Sequence, residues 1–525
     1  MNRRRAGIGW TTAIVLVLTA LGGTAGTTAA MGADDPAAPS ATSTGSASPS
    51  GSGTPSGTTD AGAAAAVATD TTTPSAPTTS ADPTATATPT EGCPLCPPLD
   101  YVPANGTKFN HPFTPSSASD IRVHVTRAVK SVPSGGTIRL ALFSLNDSGL
   151  ADALIAAVKR GVSVQIVGNN HNITNSIAGL PPSPSFKRLR NVLGYQRTEP
   201  GVDPERVSFA RTCHYSCRGS GGAVHYKMFL FSSLGKDSYD PATGVARESC
   251  PPNTEATCRQ WVTMMGSPNL TTKAAYGQWN HLDTFANKDT YDLYQRWWHQ
   301  MKADSPRAHP YERASAGGFT SWTFPKPGTT AANDPLMDGL RGIHCTGVAS
   351  GYGVNGRTKI RIGAYTFFGN RGDWISKKVR SLWNDGCDVS VEYSIMVDRI
   401  KKRLYSPSGR GRIPMRQVVT FNRRGAIDAY DHAKWIAMSG NWGGDPSSKI
   451  VWTGTTNISD LGFRIDDTGQ VWRSASRVDA YMNDFSQLFR SRQAHVPSPT
   501  SRLNARVGSP QLTLGQGRYA AFEPE

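Results

Sequence analysis

Apolar and polar positions follow the same order of strand-like and helix-like periods in two separate stretches of the chain. Each stretch has an apolar segment, an amphipathic helix and a second apolar segment. These are "IRLALFSLND", "SGLADALIAAVKRG" and "VSVQIV" in the first, and "IRIGAYTFFGN", "RGDWISKKVRSLWNDG" and "CDVSVEYS" in the second. Strand, helix and strand within about 30 residues predict a parallel βαβ unit. The pattern therefore predicts an α/β fold that arose by internal duplication.

Each predicted unit is followed by a further strand and a helix with regularly spaced apolar residues. These residues are predicted to be core: Tyr294, Trp297 and Met301 in one helix, and Tyr481, Phe485 and Phe489 in the other. We predict two lobes with mixed sheets, near residues 110–310 and 330–500, which are related by pseudo-two-fold symmetry.

The first 92 residues differ in composition from the rest. Arg3, Arg4 and Arg5, an apolar run and small residues up to Ala30 predict a secretory signal peptide over residues 1–30. Residues 31–92 are almost wholly Ala, Ser, Thr, Pro, Gly and Asp, which predicts a disordered spacer because little apolar surface can be buried. We therefore expect an exported protein, with an N-terminal half at 93–310 and a C-terminal half at 311–525.

Charge is concentrated in the predicted folded part. The whole chain carries +16, and setting aside three signal arginines and six acidic spacer residues leaves +19 on residues 93–525. Such a charge favours an anionic partner. The basic run from Arg399 to Gly425 precedes a motif described below, and we expect it to steer substrate.

All eight cysteines lie in the predicted folded part. An even number in an exported chain predicts four disulfides. Local pairing is the simplest arrangement: Cys93–Cys96, Cys213–Cys217, Cys250–Cys258 and Cys345–Cys387.

Two copies of a short motif carry the candidate chemistry. His225-x-Lys227 recurs as His432-x-Lys434, and each is followed by a turn that ends in Asn, "GSPN" to Asn269 and "GTTN" to Asn457. Residues i and i+2 of a strand face the same side, so each His lies beside its Lys. Two imidazoles, two ammonium groups and two amides can hold and break a phosphodiester without a metal.

This pattern resembles the phospholipase D superfamily, whose signature is H-x-K-x4-D with a downstream G-[ST]-x-N in each half. The resemblance covers about residues 120–500 and implies an active site at the lobe interface. It implies two catalytic half-sites: His225, Lys227 and Asn269, and His432, Lys434 and Asn457. The motif's Asp is replaced by Ser232 and Ser439, which we interpret as altered support around the site.

The resemblance also implies roles. His225 would be the nucleophile and His432 would protonate the leaving alcohol, and the reverse order of the two histidines is the alternative. The family tends to place a His-orienting carboxylate after the Asn, for which Asp283, and Asp466 or the adjacent Asp467, are candidates. We expect no metal and no cofactor.

The implied function is a secreted phospholipase D that hydrolyses phospholipid head groups at a membrane surface. A metal-independent nuclease of the same superfamily and a catalytically silent phosphate-binding protein are the alternatives, and wall polymers share the same reacting group. We expect a monomer with no obligate protein partner.

Overall fold

The computed structural model describes residues 100–177, 180–195 and 203–497. The predicted signal peptide, the whole predicted spacer over residues 31–92 and the Cys93–Cys96 pair lie outside these residues. The helices of the described part are α1 (Asp120–Ser131), α2 (Ser148–Lys159), α3 (Pro184–Leu193), α4 (Thr272–Tyr276), α5 (Lys288–Ala303), α6 (Pro335–Arg341), α7 (Gly369–Asn384), α8 (Asp398–Tyr405) and α9 (Ala475–Phe489).

The strands divide into two groups along the chain. The first group is β1 (Gly106–Asn110), β2 (Thr137–Leu142), β3 (Leu145–Asn146), β4 (Ser163–Asn169), β5 (Phe209–Cys213), β6 (Lys227–Leu234), β7 (Tyr239–Asp240), β8 (Val245–Ala246), β9 (Arg259–Gly266), β10 (Leu270–Thr271) and β11 (Gln278–Ala286). The second group is β12 (Glu312–Ala316), β13 (Phe319–Thr323), β14 (Ile343–His344), β15 (Lys359–Phe367), β16 (Asp388–Met396), β17 (Met415–Phe421), β18 (Ile427–Asp431), β19 (Lys434–Trp442), β20 (Asp445–Gly454), β21 (Thr468–Trp472) and β22 (Ala494–His495).

The two groups have the same strand order. In the first, the order is β5-β4-β2-β6-β9-β11-β1, with β2, β4 and β5 parallel and the rest antiparallel. In the second it is β17-β16-β15-β19-β20-β21-β13-β12, with β15, β16 and β17 parallel. α2 connects β2 to β4 and α7 connects β15 to β16, where the sequence predicts βαβ units. The fold is a mixed α/β fold, as predicted.

Apolar side chains form the core on both faces of each sheet. One cluster lies between α1, α2, α3 and the first sheet, and another between α6, α7, α8 and the second. A third cluster contains α5, α9 and residues of both sheets, so these two helices fill the space between the sheets. Trp297 of α5 and Tyr481 of α9 are 0% exposed, and the described residues belong to a single unit, Ala87–Glu525. The two halves therefore share a core.

Three of the expected cysteine pairs are disulfide-bonded: Cys213–Cys217, Cys250–Cys258 and Cys345–Cys387. Such bonds favour an oxidising environment, in keeping with the expected export. Within the described residues, no helix has the length and apolar character needed to cross a membrane.

The bond between Cys345 and Cys387 is expected to stabilise the fold most, because it closes a segment of 42 residues that contains β15 and α7. By chain entropy alone, its double replacement with alanine should lower the free energy of unfolding by about 4 kcal/mol. The same change at Cys250 and Cys258, 8 residues apart, should lower it by about 2.6 kcal/mol. Urea unfolding of both variants would show which of them loses more free energy of unfolding. Equal unfolding midpoints would contradict the expected difference.

Candidate functional site

The two His-x-Lys motifs lie at the start of equivalent strands. Lys227 begins β6 and Lys434 begins β19, and each His lies two residues earlier. The four side chains are 0–4% exposed: His225, Lys227, His432 and Lys434. Because β6 and β19 occupy matching places in the two sheets, the two motifs lie at matching positions of the two halves.

Backbone hydrogen bonds attach each histidine to the opposite half. The His225 N–H donates to the Asp466 carbonyl at 2.8 Å, and the His432 N–H donates to the Trp279 carbonyl at 2.9 Å. These bonds extend a parallel pairing of Val224 with Asp466, and of β18 with β11. Both histidines are therefore held where the two halves meet.

The imidazole rings are held by the residues that follow these carbonyls. His225 Nδ1 lies 3.1 Å from Asp467 Oδ2, and His432 Nδ1 lies 2.9 Å from Asn280 Oδ1. The two contacts have the same geometry but different chemistry, because one histidine has a carboxylate partner and the other an uncharged amide. The site is therefore symmetric in shape and asymmetric in charge.

The orientation of the Asn280 amide follows from its other bonds. Its nitrogen donates to the Ala274 carbonyl and to Gln278 Oε1, both at 3.2 Å. Its oxygen accepts the Ser267 hydroxyl at 2.8 Å, since the Ser267 oxygen itself accepts the His281 N–H at 3.0 Å. The amide oxygen therefore faces His432, whose Nδ1 carries the proton.

These contacts explain the hydroxyl residue of the G-[ST]-x-N motif. Ser267 of "GSPN" holds Asn280, and the Thr455 hydroxyl of "GTTN" donates to Asp467 Oδ1. The Thr468 N–H also donates to that oxygen, at 3.1 Å, which leaves Asp467 Oδ2 facing His225. Each motif thus fixes the residue that orients the histidine of the other half.

The assignment of Asp283 and Asp466 as orienting carboxylates is wrong. Asp283 is buried against α9, where it binds Arg477 at 2.9 Å and Tyr481 at 3.0 Å. The Asp466 carboxylate accepts the Cys217 and Arg218 N–H groups, and only its backbone carbonyl contacts His225. Successive residues of an extended strand face opposite sides, so the neighbour of the orienting residue cannot replace it.

The two motif asparagines are buried beside the strand ends. Asn269 is 3% exposed, and its side-chain oxygen accepts the Ser144 N–H at 3.3 Å. Asn457 is 4% exposed, and its backbone carbonyl accepts Arg371 Nη1 at 2.8 Å. Arg371 is itself paired with the buried Asp334. The second asparagine therefore depends on an ion pair that the sequence analysis did not identify.

Burial and the two lysines control ionisation in the site. The pKa of His225 lies well below its ordinary value because of burial, then repulsion from Lys227 and Lys434. The pKa of His432 is lowered by burial, by both lysines and by His225. Burial raises the pKa of Asp467 to about 7, although both lysines oppose the rise. Since lysines of both halves act on both histidines, the two half-sites form one site that is suited to an anion.

Ser232 and Ser439 support the scaffold rather than the site. The Ser232 hydroxyl accepts the Thr137 N–H at 2.8 Å, and the Ser439 hydroxyl accepts the Gly353 N–H at 3.1 Å. Each serine lies five residues beyond the motif lysine, or about 17 Å along an extended strand. The change from Asp to Ser therefore leaves the arrangement of the histidines intact.

The basic run Arg399–Gly425 forms α8, β17 and adjoining loops, and much of it takes part in local contacts. Arg399 and Arg403 pair with Asp373. Arg410, Arg412 and Arg416 lie over the rings of Trp383, Tyr405 and Phe489. Five cations of this run therefore take part in ion pairs or ring contacts within the protein. The expected role of the run in steering substrate stays a prediction.

The sequence analysis names Asp467 as an alternative to Asp466, and it misses three supporting residues: Ser267, Asn280 and Thr455. One signal could have found them. Asn280 follows Asn269 by 11 positions, and Asp467 follows Asn457 by 10, so the two occupy matching places after the motif. A search restricted to carboxylates does not find Asn280, because the first half carries an amide there.

A family model matches the part of the chain that contains the first motif. Residues 133–302 match the family described as "Cardiolipin synthase, PLD-like domain". No curated protein matches the sequence.

Several solved structures are similar over part or most of the chain. Phosphatidylserine synthase of Haemophilus influenzae is 8% identical, covers 76% of this chain and 89% of its own, and has a TM-score of 0.46. Polyphosphate kinase of Porphyromonas gingivalis is 11% identical, with 76% of this chain and 53% of its own covered and a TM-score of 0.42. Nuc of Salmonella typhimurium, a phospholipase D family member, is 18% identical over 39% of this chain and 96% of its own, with a TM-score of 0.23. The match thus spans about half of the polyphosphate kinase.

Proposed function

Residues 133–302 match a phospholipase D-like family model, and from this premise we propose that the chain is a phosphodiesterase of the phospholipase D type. The observation that carries the proposal is the reciprocal support of the two histidines. Each imidazole is hydrogen-bonded to a residue of the other half, at 3.1 Å and 2.9 Å. Neither half could complete such a site alone, which is what a two-histidine displacement requires.

The first step is a displacement at phosphorus by His225. Its Nδ1–H donates to Asp467, so the Nε2 lone pair can attack the phosphorus atom, and a nitrogen–phosphorus bond forms as the bond to the leaving alcohol breaks. The bound phosphate anion favours the imidazolium form of His432, which keeps its Nδ1–H on Asn280 and donates its Nε2 proton to that alcohol oxygen. Lys227, Lys434 and the two motif asparagines stabilise the charge on the non-bridging oxygens.

The second step returns the enzyme to its starting state. Water attacks phosphorus, its proton passes to His432, and the bond to His225 Nε2 breaks. The products are an alcohol and a phosphate monoester. All groups in this scheme are side chains of the described residues, and it assigns no step to a metal.

We propose a phospholipid as the substrate, with release of the head-group alcohol at a membrane surface. A positive, buried site suits the phosphodiester of a lipid head group. The charge of +19 on residues 93–525 favours a nuclease as the second candidate, since phosphate neutralisation drives nucleic-acid binding. A catalytically silent phosphate binder would not need two matched imidazoles.

The substrate can be identified with the purified protein in EDTA, offered phosphatidylcholine vesicles and, separately, plasmid and single-stranded DNA. Release of choline by the wild type, but not by a His225→Asn variant, would support the phospholipase. Nicked or shortened DNA without choline release would support the nuclease. Phosphate binding without turnover of either substrate would favour the silent binder, and neither binding nor turnover would contradict the proposal.

Asn280→Asp is expected to shift the pH dependence of turnover upward. A carboxylate 2.9 Å from His432 Nδ1 would favour the imidazolium and raise the low pKa of His432. An opposite charge at this range shifts a pKa by about 1–3 units. Because His432 must be protonated to act as the acid, the alkaline fall in kcat/KM should move to higher pH by at least about one unit. An unchanged profile would contradict the role of His432 as the acid.

A further inference from the structure

A second group of polar residues lies beside the first half-site and has no part in the reaction described above. Ser144 Oγ lies 2.8 Å from His171 Nε2, and the Asn169 side-chain nitrogen lies 2.7 Å from His171 Nδ1. These residues follow β2 and end or follow β4, at the carboxyl ends of two parallel strands. All three are buried, with 3–6% of each side chain exposed.

This group is directly connected to the catalytic residues. The Ser144 N–H donates to the side-chain oxygen of Asn269 at 3.3 Å. The ring of Phe143 lies 4.7 Å from that of His171 and 5.2 Å from that of His225. The Ser144 hydroxyl is therefore placed next to the amide that would bind a phosphate oxygen.

The hydrogen positions follow from the surrounding donors. The Val224 N–H donates to Asn169 Oδ1 at 3.1 Å, so the amide nitrogen must donate to His171 Nδ1. Burial, then the charge of Lys227, lowers the pKa of His171 to about 3, which leaves the ring neutral. Its one proton is then on Nε2, from which it is donated to Ser144 Oγ.

This arrangement excludes Ser144 as a nucleophile and favours it as a hydrogen-bond donor. A Ser-His-Asn group can activate a serine nucleophile only if the imidazole accepts the hydroxyl proton. Here the imidazole donates, so the Ser144 proton must be directed to a different acceptor. No described residue accepts it within hydrogen-bond distance. A phosphate oxygen, which has lone pairs and negative charge, is a suitable acceptor.

We propose that the Ser144 hydroxyl donates a hydrogen bond to a non-bridging oxygen of the substrate phosphate, beside Asn269, with His171 and Asn169 as positioning residues. The inference rests on the proposed function, because it assumes that the phosphodiester occupies the site between the two histidines. Ser144 would then be a further contact with the reacting group, in addition to the six motif residues.

The second half lacks the imidazole of this group. Leu142 pairs with Gly168 in β2 and β4, and Ala364 pairs with Tyr393 in β15 and β16. Counting onward from these pairs places Thr366 at the position of Ser144 and Met396 at that of His171. The hydroxyl that an imidazole orients therefore belongs to the half that contains His225, where it would also hold the phosphoryl group during its transfer to that histidine.

The test uses the full protein and two probes, inorganic phosphate for binding and bis(p-nitrophenyl) phosphate for turnover. Ser144→Ala should weaken phosphate binding and lower kcat/KM about 10- to 100-fold, the range for a hydrogen bond to a charged group. Ser144→Thr retains the hydroxyl and should recover most of this loss. His171→Phe should cause a smaller loss, of about three- to tenfold. Ser232→Ala, which removes a hydroxyl remote from the histidines, is the matched control.

The outcomes separate this inference from the proposed function. Unchanged phosphate binding and KM in Ser144→Ala would overturn the inference while leaving the phosphodiesterase intact. Complete loss of turnover with phosphate binding retained would also overturn it, because that result is expected of a nucleophile. If the wild type binds phosphate without turnover, the proposed reaction fails, and the effect of Ser144→Ala on binding still decides the inference. If the wild type does not bind phosphate, both are overturned.

Discussion

Replacement of His225 or His432 by asparagine is expected to lower kcat by at least about 10³-fold, because in the proposed reaction His225 forms the bond to phosphorus and His432 transfers the protons. Asparagine retains a polar side chain, so the fold should persist. The measurement is turnover of a phospholipid or nucleic-acid substrate, with circular dichroism to verify the fold. Substantial turnover by either folded variant would contradict the two-histidine reaction.

The same two variants can distinguish the roles of the histidines. With bis(p-nitrophenyl) phosphate the leaving group needs little protonation, so His432→Asn should still form the phosphohistidine and release one equivalent of p-nitrophenol. It should then stall, because no base activates water for the second step. His225→Asn should show neither the burst nor a phosphoryl mass shift on the protein. A burst in His225→Asn alone would reverse the assignment.

Asp467→Asn is expected to lower kcat by about 10²- to 10⁴-fold, since loss of the carboxylate behind a catalytic histidine has effects of this size. The carboxylate fixes the proton of His225 on Nδ1 and stabilises the positive charge that develops when Nε2 attacks phosphorus. An amide can do neither as well. Single-turnover measurements of phosphohistidine formation would show whether the loss lies in this first step, and an unchanged rate would contradict the role of Asp467.

Asp283→Asn is the matched control for this prediction. Asp283 is also a buried carboxylate, but its partners are Thr107, Arg477, Tyr481 and Gln470, and neither catalytic histidine is among them. Removal of its charge leaves Arg477 with the Gly106 and Thr284 carbonyls but without its charged partner, which is expected to lower the free energy of unfolding by about 3 kcal/mol. Turnover by the folded enzyme should stay within about twofold. A loss as large as that of Asp467→Asn would restore Asp283 as an orienting residue.

The contrast between Asp467 and Asp283 shows that the sequence alone does not identify which carboxylate contacts a motif histidine. Asp283 is a candidate because it follows Asn269 in the chain, and Asp466 and Asp467 are candidates because they follow Asn457. The residues that contact the histidines are Asn280, three positions before Asp283, and Asp467, one after Asp466. An odd offset in an extended strand places the side chain on the opposite face. The error is one of register, which the spacing of carboxylates alone does not specify.

The larger features of the fold could be predicted from the sequence because they depend on short stretches of it. Apolar periodicity predicted β2, α2 and β4, and their counterparts β15, α7 and β16, since two adjacent strands and their connecting helix bury local apolar faces. The repeat of His-x-Lys predicted two matching half-sites because alternate strand residues share a face. The boundaries of the two halves, the signal peptide and the spacer remain predictions.

The sequence by itself determined the α/β class and the matching order of strands and helices in the two βαβ units, because each is specified by contacts between residues close in the chain. The catalytic role of the six motif residues stays a prediction. Only the tertiary structure decided which residue supports which histidine. Those contacts join residues 242 positions apart for His225 and Asp467, and 152 apart for His432 and Asn280. They exist because α5 and α9 pack between the sheets and bring the end of each strand against the opposite half. Partners selected by packing over such distances have no local pattern that identifies them.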